Sequence, residues 1–298
     1  MKKILVTGAG GFLGWNVCSA AAKEWDTFGT AFSKPAGTRG ARIIKIDLTD
    51  HNTLKKAFND ILPDAVIHTA AASDPNYCQA NRSEAEKINV TASLNLAGLC
   101  ADRRIPFAFT STDLVFDGLK VPYKEEDPVS PVNVYGEQKV RAEQGILKIY
   151  PDAAVCRMPL MFGNRGRTAA GFFGAMAAAL KEGRELRLFT DEYRTPASGR
   201  TAASGLFLAI EKVRGLIHLG GRERVSRYEF GLMMMDIMGV NEASIVRCRQ
   251  QDVSLAAPRP LDVSLDSSKA YALGYDPLPL REELERLLKR RKKSAAVK

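Results

Sequence analysis

The chain has 298 residues, 45% hydrophobic and 26% charged, the ordinary balance of a soluble globular protein large enough for a full α/β core and a smaller lobe. No apolar stretch reaches the roughly 18–20 residues of a membrane span. Five dispersed cysteines (Cys18, Cys78, Cys100, Cys156, Cys248) and three isolated histidines (His51, His68, His218) give no disulfide framework and no metal centre. The net charge of +9 falls to about +3 without Lys289, Arg290, Arg291, Lys292, Lys293 and Lys298, so no nucleic-acid partner is expected.

Strand and helix signals alternate from the first residues. The apolar run in Lys3–Thr7 reads as a short buried strand, too brief for a signal-peptide core, so a cytoplasmic protein is expected. A helix follows over 12–23, then strands over 27–32 and 42–46. His51–Ile61 carries Leu54, Ala57, Phe58 and Ile61 on one helical face. Ala65–His68, 106–111 and 153–157 read as strands. Residues 83–101 and 131–149 read as helices, the second started by Pro131. Glu125-Glu126-Asp127 reads as a solvated turn. Beyond about residue 160 the alternation loosens into a glycine- and arginine-rich loop (163–171). A helix and a strand then occupy 200–219, a Ser226/Glu229 capping-box spacing opens another helix, and a final helix is amphipathic.

Short apolar strands between helices imply a parallel sheet covered on both faces. The expected architecture is a Rossmann-type doubly wound α/β sheet over 1–160, with 197–220 returning to it. Residues 161–196 and 221–290 form a smaller substrate-binding lobe, and 291–298 a basic tail. The assembly state, a homodimer among the options, is left open.

Val6-Thr7-Gly8-Ala9-Gly10-Gly11-Phe12-Leu13-Gly14 places Gly8, Gly11 and Gly14 in a GxxGxxG pattern between the first strand and the first helix. Glycines there permit a tight turn, close approach of backbone to a pyrophosphate and close helix–sheet packing, with helix amides facing the phosphates. Phe12 and Leu13 belong to this cofactor loop. The second strand ends in Ala31-Phe32-Ser33-Lys34, with Arg39 beyond, and offers no acid for a ribose 2′-hydroxyl. Ser33 and Lys34 suit a 2′-phosphate, which favours NADP(H), or use of both NADP(H) and NAD(H). Asp47 and Leu48, after the third strand, are placed to meet the adenine.

Tyr135-Gly136-Glu137-Gln138-Lys139 is a YxxxK spacing inside the 131–149 helix, and residues i and i+4 share a face. Tyr135 can donate a proton to a carbonyl oxygen, with the nearby ammonium expected to favour its phenolate. Lys139 can also bond the nicotinamide ribose. Thr112, at the carboxyl end of the fifth strand, can reach the same oxygen.

These segments, with His68-Thr69-Ala70-Ala71-Ala72, Ser111-Thr112-Asp113-Leu114-Val115-Phe116-Asp117-Gly118, Arg259-Pro260 and Val263-Ser264-Leu265, resemble the extended short-chain dehydrogenase/reductases that act on sugar nucleotides. Within that group the likeness is to the dTDP-4-dehydrorhamnose reductases and the related β subunit of methionine adenosyltransferase. The resemblance implies catalytic roles for Thr112, Tyr135 and Lys139. It also implies a cofactor wall at Ala70, Ala71 and Ala72, with Asn89 on the helix behind the site. Asp113, Leu114, Phe162, Asn164, Arg194 and Arg259 would surround a nucleotide-sugar substrate, their cations and aromatic suiting a diphosphate and a base ring. Leu114 stands where the reductases usually have an aromatic residue, and Asp191-Glu192-Tyr193-Arg194-Thr195-Pro196 where they have a glycine-containing loop. The implied activity is NADPH-dependent reduction of a nucleotide-linked 4-keto-6-deoxysugar. Epimerase or dehydratase chemistry, or a non-catalytic NADP-binding regulatory subunit, stand as alternatives.

Overall fold

The computed structural model describes residues 1–32, 40–165, 168–169, 171–240 and 245–295. Seven strands form the central sheet: β1 (Lys3–Thr7), β2 (Asp26–Ala31), β3 (Ala41–Lys45), β4 (Ala65–His68), β5 (Phe107–Thr112), β6 (Ala154–Met158) and β7 (Gly215–His218). Their spatial order is β7-β6-β5-β4-β1-β2-β3, and every neighbouring pair is parallel. This is the doubly wound sheet expected from the alternation. Strand order reverses between β1 and β4, where an open α/β sheet leaves a crevice at its carboxyl edge.

Both faces are covered, which is why β4, β5 and β6 are buried along their whole length. On one face α1 (Phe12–Ala21) packs Val17 against Ile4, Ile67 and Cys156. On the other, α2 (His51–Ile61) contributes Leu54, Phe58 and Ile61 to a core with Val66, Phe107 and Phe109. The Asp50 side chain caps α2 by accepting from the Asn52 and Thr53 amides.

The helix expected over 83–101 is present as a continuous helical run with a π turn inside it. A short α3 (Pro75–Ala80), capped by Asp74, precedes α4 (Arg82–Glu86). A π-helical turn at Lys87–Thr91 then leads into α5 (Ala92–Asp102). The widened turn holds Asn89, whose side chain is committed to tertiary bonds described below. Helix α6 (Val134–Ile149) begins after Asn133, whose Oδ1 accepts from the Gly136 amide at 2.9 Å. Pro131 therefore lies outside the helix that it was expected to start.

Beyond the sheet, α7 (Gly171–Lys181) enters a separate core, and α8 (Gly199–Lys212) returns to the first face beside β7. The helices α9 (Arg227–Met238) and α11 (Leu280–Ala295), separated by the single turn α10 (Ser268–Ala272), complete that second core around Phe173, Phe230 and Leu284. Ser226 and Glu229 form the capping box that opens α9. The C-terminal helix runs through Ala295, so the tail boundary expected at 291 falls inside it. No helix among the described residues is long and apolar enough to cross a membrane.

A buried ion pair ties α6 to β6. Arg157 donates from Nε and Nη2 to Glu143, the shortest bond 2.9 Å, with both side chains at most 5% exposed. Arg157 Nη1 lies 3.4 Å from His218 Nε2. Burial, then Arg157, pushes His218 down to about 3, so the neutral ring donates from Nδ1 to the Tyr123 carbonyl and accepts at Nε2. Glu125, expected to be solvated, instead accepts from the His218 amide at 2.8 Å. Removing one member of such a pair leaves a buried charge alone. Glu143→Ala should cost about 3–5 kcal/mol in urea unfolding, and the double replacement Glu143→Leu/Arg157→Met should recover most of it. Equal losses in the single and double variants would show that the pair is not what holds α6 to β6.

Candidate active site

The crevice between β1 and β4 is shaped by glycine. Gly8 has φ +70°, and a Cβ there would lie 2.7 Å from the Ala70 Cα; a Cβ on Gly14 would lie 2.2 Å from the Gly8 oxygen. Gly11 is the N-cap of α1 and no side chain caps it. The result is a bare cradle at a helix N-terminus, the geometry that accepts a phosphate. Leu13 is buried and Phe12 partly buried in the core beneath the loop. Ser33, Lys34 and Arg39 lie outside the described residues. The Asp47 carboxylate accepts from both the amide and the hydroxyl of Thr49 in a turn after β3, and Leu48 packs on the α2 core.

Opposite the cradle, the wall formed by residues 69–72 is held from behind. Thr7 Oγ1 accepts from the amides of Thr69 at 3.2 Å and Ala70 at 3.3 Å. Its own proton therefore faces His68 Nδ1 at 2.6 Å. Burial, then Lys139, lowers His68 to about 3. The neutral ring passes its Nε2 proton to Ser93 Oγ at 2.9 Å, and Ser93 donates to the Asn89 carbonyl. The Asn89 side chain accepts from the Ala72 amide at 2.9 Å and donates to the Ala72 carbonyl and, at 2.8 Å, to Gln138 Oε1. The π turn thus clamps the Ala70–Ala72 wall to α6, next to Lys139. Thr7, Ser93 and Gln138 were not singled out from the sequence, because nothing local marks a residue whose partners on other elements lie 25 to 63 positions away.

Thr112, Tyr135 and Lys139 meet at the end of β5. Lys139 is 1% exposed. Its Nζ donates to the Thr110 carbonyl at 2.7 Å and sits 4.4 Å from the centre of the Phe109 ring. Burial pushes the ammonium down to about 7, with Glu143 pulling the other way. Tyr135 departs from expectation. Burial, then the Asp113 carboxylate, raises the phenol above its ordinary range, with only the Thr112 hydroxyl lowering it. The ammonium does not favour a phenolate here because it is turned to Thr110, so Tyr135 is a neutral O–H donor at ordinary pH. Thr112 accepts from the Leu114 amide and donates to Asp113 Oδ1, both at 3.2 Å. Leu114 is partly buried and packs beside Tyr135.

A ladder of charge leads from Thr112 into the second core. Asp113 Oδ2 stands 3.6 Å from Arg194 Nε, and Glu192 lies between Arg194 and Arg227, with Arg227 Nε donating to it at 2.7 Å. Burial pushes Asp113 up to about 6, with Arg194 holding it back. Burial would also raise Glu192, but Arg227 and Arg194 outweigh it and leave the carboxyl lowered. Arg259 donates to Asn76 Oδ1 and the Ala257 carbonyl at the rim. The pairing of Glu192 with Arg227, 35 positions apart, has no local signal in the sequence. Phe162, expected at the substrate, is instead core, 1% exposed against Phe173 and Phe230. Asn164 accepts at its carbonyl from Asn16.

Four buried side-chain atoms among the described residues have no hydrogen-bond partner: Ser111 Oγ, Asp113 Oδ2, Asn164 Oδ1 and Arg227 Nη1. Buried polar groups are normally satisfied. Two of the four, on Ser111 and Asp113, flank Thr112 at the end of β5. Together with the bare cradle they fit a site whose polar complement comes from a bound dinucleotide and a polar second ligand.

A family model described as the RmlD substrate binding domain matches residues 1–293. The chain is similar to a probable low-salt glycan biosynthesis reductase, Agl14, of Haloferax volcanii, 31% identical over 95% of this chain and 96% of that one. It is also similar to the methionine adenosyltransferase 2 subunit beta of Danio rerio, 27% identical over 92% of this chain and 85% of that one. The solved structure of a hypothetical dTDP-4-dehydrorhamnose reductase from Sulfolobus tokodaii shares the fold with a TM-score of 0.81. It is 31% identical, covering 91% of this chain and 94% of that one.

The buried ammonium has a measurable consequence. The unfolded chain holds the Lys139 proton up to the ordinary value of 10.5, the folded one only to about 7. Wild-type stability should therefore rise with pH between those values, the full cost of the buried charge being present below 7. Lys139→Met should raise Tm near neutral pH by about 4 °C or more, on a scale of about 2–4 °C per kcal/mol. The gain should shrink toward pH 10. A gain independent of pH, or a loss at neutral pH, in thermal melts would show that Lys139 carries no such cost.

Proposed function

The chain belongs to the RmlD substrate binding domain family, and from that premise we propose that it is a cytoplasmic NADPH-dependent reductase of a nucleotide-linked 4-keto-6-deoxysugar. The observation that carries this reading is the Tyr135 phenol beside the Thr112 hydroxyl at the carboxyl end of β5, in the same parallel sheet whose β1 turn forms the glycine cradle. When bound, the dinucleotide supplies the hydride. Gly8, Gly11 and Gly14 receive its pyrophosphate, the Ala70–Ala72 wall lies along it, and Lys139 holds the nicotinamide ribose. NADP(H) is the assigned dinucleotide, NAD(H) the second choice, because β2 ends in Ala31 with no carboxylate for a 2′-hydroxyl.

At the sugar, the Thr112 hydroxyl turns its proton from Asp113 to the keto oxygen to fix it, and Tyr135 gives that oxygen a proton as the carbonyl carbon is reduced. Asp113, Arg194 and Arg259 face the nucleotide sugar. Phenylalanine in place of Tyr135 keeps the ring and deletes the proton. Tyr135→Phe should therefore lower NADPH consumption with a dTDP-4-keto-6-deoxysugar by roughly a hundredfold or more, followed by the loss of NADPH absorbance. Wild-type protein that binds NADPH and consumes none would sink the reductase reading. The likeness to an adenosyltransferase β subunit favours one second reading, a dinucleotide-binding regulatory subunit. Co-purification with a partner enzyme, in the absence of NADPH consumption, distinguishes it.

A further inference from the structure

We propose that Gln138 is a positioning residue that acts through Asn89, holding the helix of Tyr135 and Lys139 in register with the wall along which the dinucleotide lies. The inference rests on the reading of the crevice as a dinucleotide site and is independent of which sugar is reduced.

Gln138 lies on α6 between Tyr135 and Lys139 and is fully buried. Both ends of its amide are engaged. Nε2 donates to the Arg82 carbonyl in the first turn of α4 at 3.0 Å, and Oε1 accepts from Asn89 Nδ2 at 2.8 Å. Asn89, in the π turn, is likewise used at both ends. Its Nδ2 also donates to the Ala72 carbonyl at 3.1 Å, and its Oδ1 accepts from the Ala72 amide at 2.9 Å. One run of hydrogen bonds therefore joins α4, α6, the π turn and the wall.

The direction of that run is fixed by its two ends. A backbone carbonyl can only accept, and a backbone N–H can only donate. The Arg82 carbonyl takes the NH2 of Gln138, so the Gln138 oxygen must face Asn89. Asn89 must answer with its own NH2, which leaves its oxygen for the Ala72 amide. Only a side chain of this length that donates at its tip and also accepts completes the run. Two ion pairs also join α4 to α6, Arg82 with Glu137 and Arg141 with Glu86, but both lie at the surface, where such pairs hold weakly. The buried amide is what sets the register.

Without the Gln138 amide, the Arg82 carbonyl loses its donor and Asn89 Nδ2 loses an acceptor, in an interior where water does not replace them. Asn89 is then free to turn its amide over, and the match of donor to acceptor at Ala72 is lost. The ligand that feels this is the dinucleotide on the wall.

The test is NADPH binding, followed by the change in its fluorescence, in wild type, Gln138→Met and Gln138→Glu, at a temperature where melts show each protein folded. Methionine keeps the length and deletes both bonds. It should weaken NADPH binding by about tenfold at every pH, the scale of lost bonds between neutral groups. Glutamate keeps the shape, and its charge decides what it can do. Protonated, the carboxyl donates to the Arg82 carbonyl and accepts from Asn89, as glutamine does; ionised, it sets an oxygen against that carbonyl. Burial raises the pH at which it ionises, so Gln138→Glu should bind NADPH within about twofold of wild type at about pH 5.5 and as weakly as Gln138→Met at about pH 8.5.

The charged and titratable groups around this position are Glu137 and Lys139 on α6, Arg82 and Glu86 on α4, and Cys78 on α3. Lys139 is turned to Thr110. All are common to the three proteins, so the ratio to wild type at each pH isolates the introduced carboxyl. A merely structural glutamine would lower Tm in Gln138→Met and leave NADPH affinity at the wild-type value. That result overturns the proposal, as does a Gln138→Glu ratio that does not move with pH. If Gln138→Met does not fold, the pH dependence of Gln138→Glu decides alone. Wild type that fails to bind NADPH overturns the dinucleotide reading and this inference with it. The expected ratios without NADPH consumption overturn the reductase reading and leave the role of Gln138 standing.

Discussion

The site is built around one close approach, that of the turn after β1 to the chain leaving β4. Gly8 is so near Ala70 that a single methyl group would not fit between them. The same contact is fastened by Thr7, which takes the Thr69 and Ala70 amides and turns its own proton to His68. The bare helix N-terminus, the wall opposite it and the mouth of β5 are all positioned relative to this junction. Because the sheet is parallel and both faces are covered, the junction can sit only at the carboxyl edge where the strand order reverses.

Holding that geometry requires buried polar groups that are expensive unless each has a partner. Behind the wall the chain meets this requirement in full: Thr7, His68, Ser93, Asn89 and Gln138 each donate and accept within one connected set. Arg157 and Glu143 do the same between α6 and β6. Toward the crevice the pattern changes. Lys139 is buried with one carbonyl and the Phe109 ring beside its ammonium, and Asp113 keeps one oxygen without a partner. Incomplete satisfaction at Ser111 and Asp113, on either side of Thr112, is the physical signature of a surface shaped for something other than the protein itself.

What the sequence made legible follows from how local each signal is. The strands, the glycine cradle and the Tyr135/Lys139 spacing are written in consecutive residues, and the doubly wound sheet follows from their order. Pairings across long separations leave no such trace. The Asn89 clamp, the π turn that serves it, the Glu125–His218 contact and the Glu192–Arg227 pair depend on partners 17 to 93 positions apart. Phe162 was misread because an aromatic residue in a glycine- and arginine-rich stretch looks like a ligand platform; the packing of Phe173 and Phe230 makes it core. The charge state of Tyr135 was misread for a different reason. Spacing brings the lysine to the same face but does not fix where its ammonium points, and Thr110 claims it.

The two halves of the crevice answer to different constraints. The cradle, the wall and Tyr135 with Lys139 are carried by the sheet and by helices packed against it, where any displacement propagates through a close-packed interior. Arg194, Glu192 and Arg259 come from segments outside the central sheet, and Arg227 from the first turn of α9. Their anchors are largely backbone carbonyls and one another. On the proposed reading, a change in those segments can therefore alter which ligand is accepted without moving Tyr135. Leu114 and the 191–196 segment are the places where this chain departs from the pattern it resembles, and each is adjacent to a residue that such a change would leave in place: Leu114 beside Tyr135, Arg194 of that segment beside Asp113. Selectivity on the proposed reading is thus a property of side chains set around a constant frame, and the chemistry belongs to the frame.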